Sequence, residues 1–433
     1  MEKRDQFTSR LGMILATIGS AAGVGNIWRF PYIAGENGGG IFVLFYLLII
    51  IIIGWPLLTL EISLGTSTKK NPVGAYKKLS PDKPWFLNGY LNVIAGIFIV
   101  SYTLPVYGWI LKYAYEILMG TFVNMAPGEV ANYFNNFMGN KWQVLFWVIL
   151  NILLILFVVR KKLQDGVEKI AKILLPVLAV MFIVLIIRAV TLEGAMEGLS
   201  FYLKPDFAKF SWSSVFVAIG QAFFSLGLVM GAALVFGSYL KNEDKKLVPT
   251  SGFIVLADSL VAIMAGLVIF PSVSAFGLEP ASGPALTFIT MPNVFNNMPA
   301  GILWGFIFYV AFYIAAFTSA VAVWEGVIAF IKDEFGFARK KAVWTTLGLV
   351  AIVGLPSVFS MKFFNMIDYL ENNFVLIFGG FFMTIFVGWV WGTDNFAQEA
   401  NIKSKSLSVL WKILIKYIIP LIIIAIFLNS VIF

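Results

Sequence analysis

Neither cysteine nor histidine occurs anywhere in the 433 residues. The first absence rules out a disulfide framework. Together they remove the usual ligands of zinc, haem and iron–sulfur centres, and a proton relay through imidazole is excluded as well. Charge is scarce too, with Asp, Glu, Lys and Arg at 12% of the chain. No glycine-rich phosphate loop followed by lysine is present. A membrane enzyme would therefore lack its nucleophile, base and metal groups, and the chain reads as no enzyme.

What is abundant is apolar length. Hydrophobic residues make up 60% of the chain, with 42 Phe among them. Runs of about 20 apolar residues recur from end to end, which indicates an all-α, polytopic membrane protein seated in a lipid bilayer. Eleven spans are predicted, at 11–34, 40–67, 86–118, 143–160, 167–191, 212–239, 249–275, 300–331, 342–359, 369–391 and 408–431. Glu2, Lys3, Arg4, Asp5 and Arg10 precede the first run without a cleavage site, so that span is expected to be retained.

The net charge of +8 is explained by where the cations lie. Loops on the N-terminal side hold Lys69, Lys70, Lys77, Lys78, Arg160, Lys161, Lys162, Lys241, Lys245, Lys246, Arg339, Lys340 and Lys341, whereas the other side holds few. The positive-inside rule then puts the N-terminus in the cytoplasm and the C-terminus outside a cell membrane. Nothing in this balance calls for nucleic acid.

Two spans are interrupted. In Gly19-Ser20-Ala21-Ala22-Gly23-Val24-Gly25-Asn26-Ile27-Trp28-Arg29-Phe30-Pro31 three glycines each weaken a helix by about 1 kcal/mol relative to Ala. Asn26, Arg29 and Pro31 follow at once. Such a break is tolerated at membrane depth only where protein buries it or a wet cavity meets it, and the polar residues beside it mark a functional site. Span six has a second glycine-interrupted centre, from Phe223 to Gly231. Five spans separate the two breaks, so the second copy enters the membrane from the opposite side. Inverted halves with broken helices at matching places point to a site at the midplane. The halves run 11–192 and 212–392, after a cytoplasmic segment 1–10. An extracellular connection 193–211 joins them, and 393–433 holds a cytoplasmic connection and span eleven.

Gly23-Val24-Gly25-Asn26-Ile27-Trp28-Arg29-Phe30-Pro31-Tyr32, Glu36-Asn37-Gly38-Gly39-Gly40, Gly220-Gln221-Ala222-Phe223-Phe224-Ser225-Leu226 and the loop from Gly283-Pro284 to Met291-Pro292 resemble the neurotransmitter:sodium symporter family, in its eleven-span bacterial form. The resemblance covers residues 1 to about 392 and implies a 5+5 inverted-repeat transporter fold. It also implies sodium-coupled uptake of an amino acid by alternating access, with two sodium ions and no organic cofactor. A sensor or an ion-conducting channel on the same fold is the alternative. A proton-coupled carrier is the nearest rival within transport.

Carried over residue by residue, the resemblance implies a first sodium site at the carbonyl of Ala21 with Asn26, Ser225 and Asp258. A second would use the carbonyls of Gly19, Ala22 and Ala315 with the hydroxyls of Thr318 and Ser319. The substrate pocket would be lined by Ala21, Val24, Gly25, Ile99, Val100, Phe224, Ser225, Gly227, Met230, Ser319 and Val323. Its apolar walls suggest a hydrophobic or aromatic side chain. Tyr46, Gln221 and Ser225 match an anion site whose fourth hydroxyl is replaced by Ala262. The Asp258 carboxylate beside it suggests independence of chloride.

Arg29 and Asp368 match the outer gate with Phe224 as its lid, and Arg4, Asp333, Phe7 and Tyr239 match the inner gate, supported by Ser238. The gate tyrosine of span three falls on Thr103 or, through a distortion at Pro105, on Tyr102. Gly166 to Pro176 resembles an element that unwinds to release sodium inward, and Glu61 a partner for unwound backbone.

Overall fold

The computed structural model describes residues 4–241, 246–278 and 283–432, so the expectations resting on Glu2, Lys3 and Lys245 fall outside them. Among the described residues every regular element is helical. Among these residues nine helices are long and apolar enough to cross a membrane, and a tenth span is the pair Arg10–Ala21 and Gly25–Glu36, bent by 48°. Span six is split into Trp212–Ser225 and Ala232–Ser238, which leaves each piece too short to cross alone. Ten of the eleven predicted spans are thus found at membrane length among the described residues, and the sixth is present as these two short helices.

Span ten is longer than its apolar run. It is helical from Met361 to Glu399, so Asp368 lies inside the helix rather than before it. Lys362, Asp368 and Glu371 interrupt the hydrophobic pattern there, and a length criterion based on apolarity clips such an end.

The first break is a tight turn. Ala22 has φ −71° and ψ 69°, and the Gly23 N–H donates to the Ala21 carbonyl at 2.7 Å, which is an inverse γ-turn. The chain then resumes as a wide helical turn over Gly25–Arg29. The second break reverses the sign of φ three times, at Gly227 (60°), Val229 (70°) and Gly231 (78°). Glycine takes such angles freely, whereas a β-branched valine does so only when its surroundings hold it. Glu61 of span two, Gly40–Thr68, is what holds it, because its Oε1 accepts the Val229 N–H. The buried acid thus serves the unwound backbone, in line with the resemblance.

Span two and the second half of span six touch through their backbones. A Cβ on Gly237 would lie 2.5 Å from the Ile62 carbonyl oxygen, and one on Gly65 would strike the Leu234 carbonyl oxygen. Small residues of this kind let membrane helices approach closely. Since backbone cannot yield like a side chain, Gly65→Ala should cost at least about 1–3 kcal/mol of overpacking strain. A lowered thermal midpoint in detergent, with Gly220→Ala unaffected because its Cβ would meet open space, is the expected result.

On the face away from the N-terminus, Met291–Asn297 and the turn before it close over the bundle. Phe288 packs edge-on against Trp109 and Tyr113, with centroids 5.8 and 5.0 Å away.

Candidate functional site

The two breaks meet span seven, Leu247–Ala275, around Asp258, which is completely buried. Asn26 donates through Nδ2 to the Asp258 carboxylate at 2.8 Å and to its backbone carbonyl at 2.9 Å. Ser225, the last residue of the first half of span six, donates to the other carboxylate oxygen at 2.8 Å. Tyr46 of span two lies 3.0 Å from the Ser225 hydroxyl and 3.4 Å from the carboxylate. Gln221 donates to the Gly25 carbonyl at 2.9 Å, which ties the two broken spans together. Two acceptors are left over: Asn26 Oδ1 and Gln221 Oε1 are buried without a hydrogen-bond partner. A buried negative charge, an open amide oxygen and a hydroxyl whose proton is already committed form an oxygen-rich cluster suited to a hard cation.

Span eight, Gly301–Phe335, meets the other side of the first break. A Cβ on Gly23 would lie 2.7 Å from Ser319 Cβ, and one on Gly19 would lie 3.3 Å from Thr318 Cβ, so glycine is what permits the approach. Ser319 donates to the Ser20 carbonyl at 2.8 Å, and Thr318 donates to Ile314 and Ala315 carbonyls at 3.0 and 3.1 Å. Both hydroxyls spend their single proton on carbonyls and keep oxygen lone pairs available. The structure brings Gly19, Thr318 and Ser319 together as expected. It also shows the Ala315 carbonyl accepting from Thr318 and the Ala21 carbonyl accepting from Gly23.

Between these clusters the pocket residues converge. A Cβ on Gly25 would lie 2.7 Å from the Phe224 ring, and one on Gly227 would sit 3.7 Å from Met230 Sδ and 3.8 Å from the Ser20 carbonyl. Gly96, one turn before Ile99 and Val100 on span three, faces Val323 and the Met230 carbonyl. Val24, Ile99, Met230 and Val323 are all buried.

The two residue sets expected to form gates differ in their contacts. At the N-terminal face Arg4 pairs with Asp333 at 2.7 Å and donates twice to Ser238, at 2.7 and 3.1 Å. Its guanidinium lies 5.1 Å over the Tyr239 ring, and Phe7 packs edge-on against Phe236 and Tyr239. Asn71 steadies Asp333 through its N–H and its side chain. The expected pair is made at this face.

At the far face the expected pair is not made: Arg29 and Asp368 form no ion pair. Arg29 lies instead 4.6 Å over the Phe224 ring, with its Nη1 buried and unpartnered. Asp368 accepts from Tyr102 at 2.8 Å and from Asn372 at 3.0 Å. The physical reason lies in span three, which breaks at Thr103 ahead of Pro105 and so presents Tyr102 to span ten. Thr103 turns its hydroxyl onto the Ile99 carbonyl of its own helix. The choice left open by sequence therefore falls on Tyr102 for contact with the gate. Its ring packs on Phe364 at 5.3 Å, where the resemblance implied a pairing with the Phe224 lid.

Gly166 to Pro176 begins with the wide turn Gln164–Glu168 and continues as the helix Lys169–Val190. Glu168 there accepts from the Thr8 N–H at 3.0 Å and pairs with Lys172, fastening the N-terminal segment to span five.

Two broken membrane helices thus cross at a buried carboxylate, with the residues expected to form gates on either side. The family model described as the sodium:neurotransmitter symporter family matches residues 4–136 and 124–433. An uncharacterised sodium-dependent transporter of Bacillus subtilis is 35% identical over 99% of this chain and 98% of its own length. A second, from Methanocaldococcus jannaschii, is 30% identical over 98% and 90%. The Drosophila melanogaster sodium-dependent serotonin transporter is 27% identical over 99% of this chain and 76% of its own. The crystal structure of MhsT in complex with L-phenylalanine superposes with a TM-score of 0.91 at 35% identity, covering 99% of this chain and all of that one. The chain belongs to the sodium:neurotransmitter symporter family. It is a sodium-dependent, multi-pass membrane transporter and not an enzyme.

Proposed function

We propose that the protein carries an amino acid with a hydrophobic or aromatic side chain into the cell together with sodium, independently of chloride. The observation that carries this reading is the Asp258 cluster. There a fixed carboxylate joins the hydroxyls of Tyr46 and Ser225, and the Asn26 oxygen stays open for a cation. One sodium would bind Asn26, Ser225, Asp258 and the Ala21 carbonyl. A second would bind Thr318, Ser319 and the carbonyls of Gly19, Ala22 and Ala315, and no organic cofactor takes part.

The amino acid would sit between Val24, Gly25, Ile99, Phe224, Gly227, Met230 and Val323. The apolar character of these walls, together with the phenylalanine bound by the MhsT relative, supports the substrate class. The halves 11–192 and 212–392 would rock about this site in a cell membrane, with the N-terminal face in the cytoplasm and the C-terminus outside. A latched Arg4–Asp333 pair beside an unlatched Arg29 corresponds to a carrier open toward the outer side.

Uptake of labelled phenylalanine, tyrosine, tryptophan and leucine into proteoliposomes tests this, with an inward sodium gradient and with potassium in its place. Sodium-driven accumulation of an aromatic amino acid that persists in gluconate is expected. Current without accumulation would indicate a channel, and binding without either would indicate a sensor.

A further inference from the structure

Five carboxyl side chains are fully buried among the described residues: Glu61, Glu168, Asp258, Glu325 and Glu371. Four have donors. Glu61 takes the Val229 N–H, Glu168 takes Thr8 and Lys172, Asp258 takes Asn26 and Ser225, and Glu325 pairs with Arg339 at 2.6 Å. Glu371 is the exception. It is 0% exposed, and both of its oxygens are buried with no hydrogen-bond partner.

Glu371 opens the wide helical turn Glu371–Val375 of span ten, three residues after Asp368. The groups around it offer no counter-charge in contact. Asp368, Tyr369 and Lys362 lie on its own span, and span three contributes Tyr102, whose hydroxyl is committed to Asp368. The adjoining segments Leu376–Ile385, Phe86–Tyr102 and Ile419–Ile432 carry no charged residue. The cation nearest in the fold's plan, Arg29, faces a cavity that Glu371 itself does not line but its neighbours do. Arg29 lines, with Asn372 and Asn373, this cavity that enters from the far face.

A carboxylate with neither a donor nor a cation is costly in a low-dielectric interior, and a bound proton removes that cost. We propose that Glu371 is a proton-binding site of the far-face gate, filled from the cavity lined by Asn372 and Asn373. One proton from water adds to the carboxylate and returns to water, so no other reactant is needed. The neutral acid belongs to the present arrangement, with Arg29 over Phe224. When Arg29 swings onto span ten, its charge favours the carboxylate and the proton departs. Acid on the far side therefore holds the gate unlatched. This goes beyond sodium symport and does not depend on it.

Infrared difference spectra of the protein in lipid nanodiscs, taken between acidic and neutral pH, test the assignment without any transport. The expected result is a protonated-carboxyl carbonyl band, one component of which disappears in Glu371→Gln and persists in Asp258→Asn and Glu61→Gln. A band unchanged by Glu371→Gln overturns the proposal, as does a wild-type spectrum with no such band. Should Glu371→Gln fail to assemble, Glu371→Asp must shift that component, and an unshifted component is equally fatal.

Discussion

Replacing Asp258 by alanine is expected to abolish sodium-stimulated uptake in chloride-free medium, and replacing it by serine to make uptake depend on chloride. The carboxylate is fully buried, and Asn26 and Ser225 donate to it. Removing one member of a buried charge-compensated cluster costs about 3–5 kcal/mol. At about 1.4 kcal/mol per tenfold, the apparent sodium affinity should fall by a hundredfold or more. Serine restores a hydroxyl near Tyr46, Ser225 and Gln221 but not the charge, so a mobile anion is needed to offset the cation. Titrating chloride at fixed sodium in proteoliposomes reads both results. Chloride-free uptake by Asp258→Ala at the wild-type rate would remove Asp258 from ion coupling.

Arg4→Ala should release the latch at the N-terminal face. Its guanidinium makes one ion pair and two hydrogen bonds to Ser238 on side chains that are only 21% exposed at the pair. Hydrogen bonds to charged groups contribute about 1.5–3 kcal/mol each, so losing even one net interaction shifts a two-state equilibrium roughly tenfold to a hundredfold. The chain has no cysteine, so paired cysteines introduced at Gln6 and Phe335 would carry the only labels. Spectroscopic distances between them should broaden and lengthen in Arg4→Ala relative to the parent. An unchanged distribution would show that Phe7 and the Lys332–Asp5 pair at 2.9 Å suffice to keep the face shut.

Much of this geometry could be read from residues. Glycines, Asn26 and Pro31 inside one apolar run announce a broken helix, and Gly227 with Gly231 announces the second. Asp258 stands alone in an apolar stretch, so its importance needed no coordinates. Other features depend on helix rotation, which spacing does not fix. Tyr102 and Thr103 are adjacent, and only the distortion ahead of Pro105 decides which of them meets Asp368. The absence of an Arg29–Asp368 ion pair is what the proposed moving gate would give in one of its states, and no sequence encodes that as a single distance. Glu371 does not stand out in the sequence, because a carboxylate three residues after Asp368 looks like one more helix-end charge. Its isolation becomes visible only when the neighbouring spans are in place.

The backbone contact of Gly65 and Gly237 has a mechanical meaning. If the halves rock as proposed, span two and Ala232–Ser238, which interlock too tightly to slide, would travel as one rigid lever. Torsion would then be absorbed at the end of that lever, where Gly227, Val229 and Gly231 already occupy left-handed angles and Glu61 grips the middle one. The acid that supports the unwound chain would thus be the fulcrum pin of such a carrier, fixing where the lever pivots.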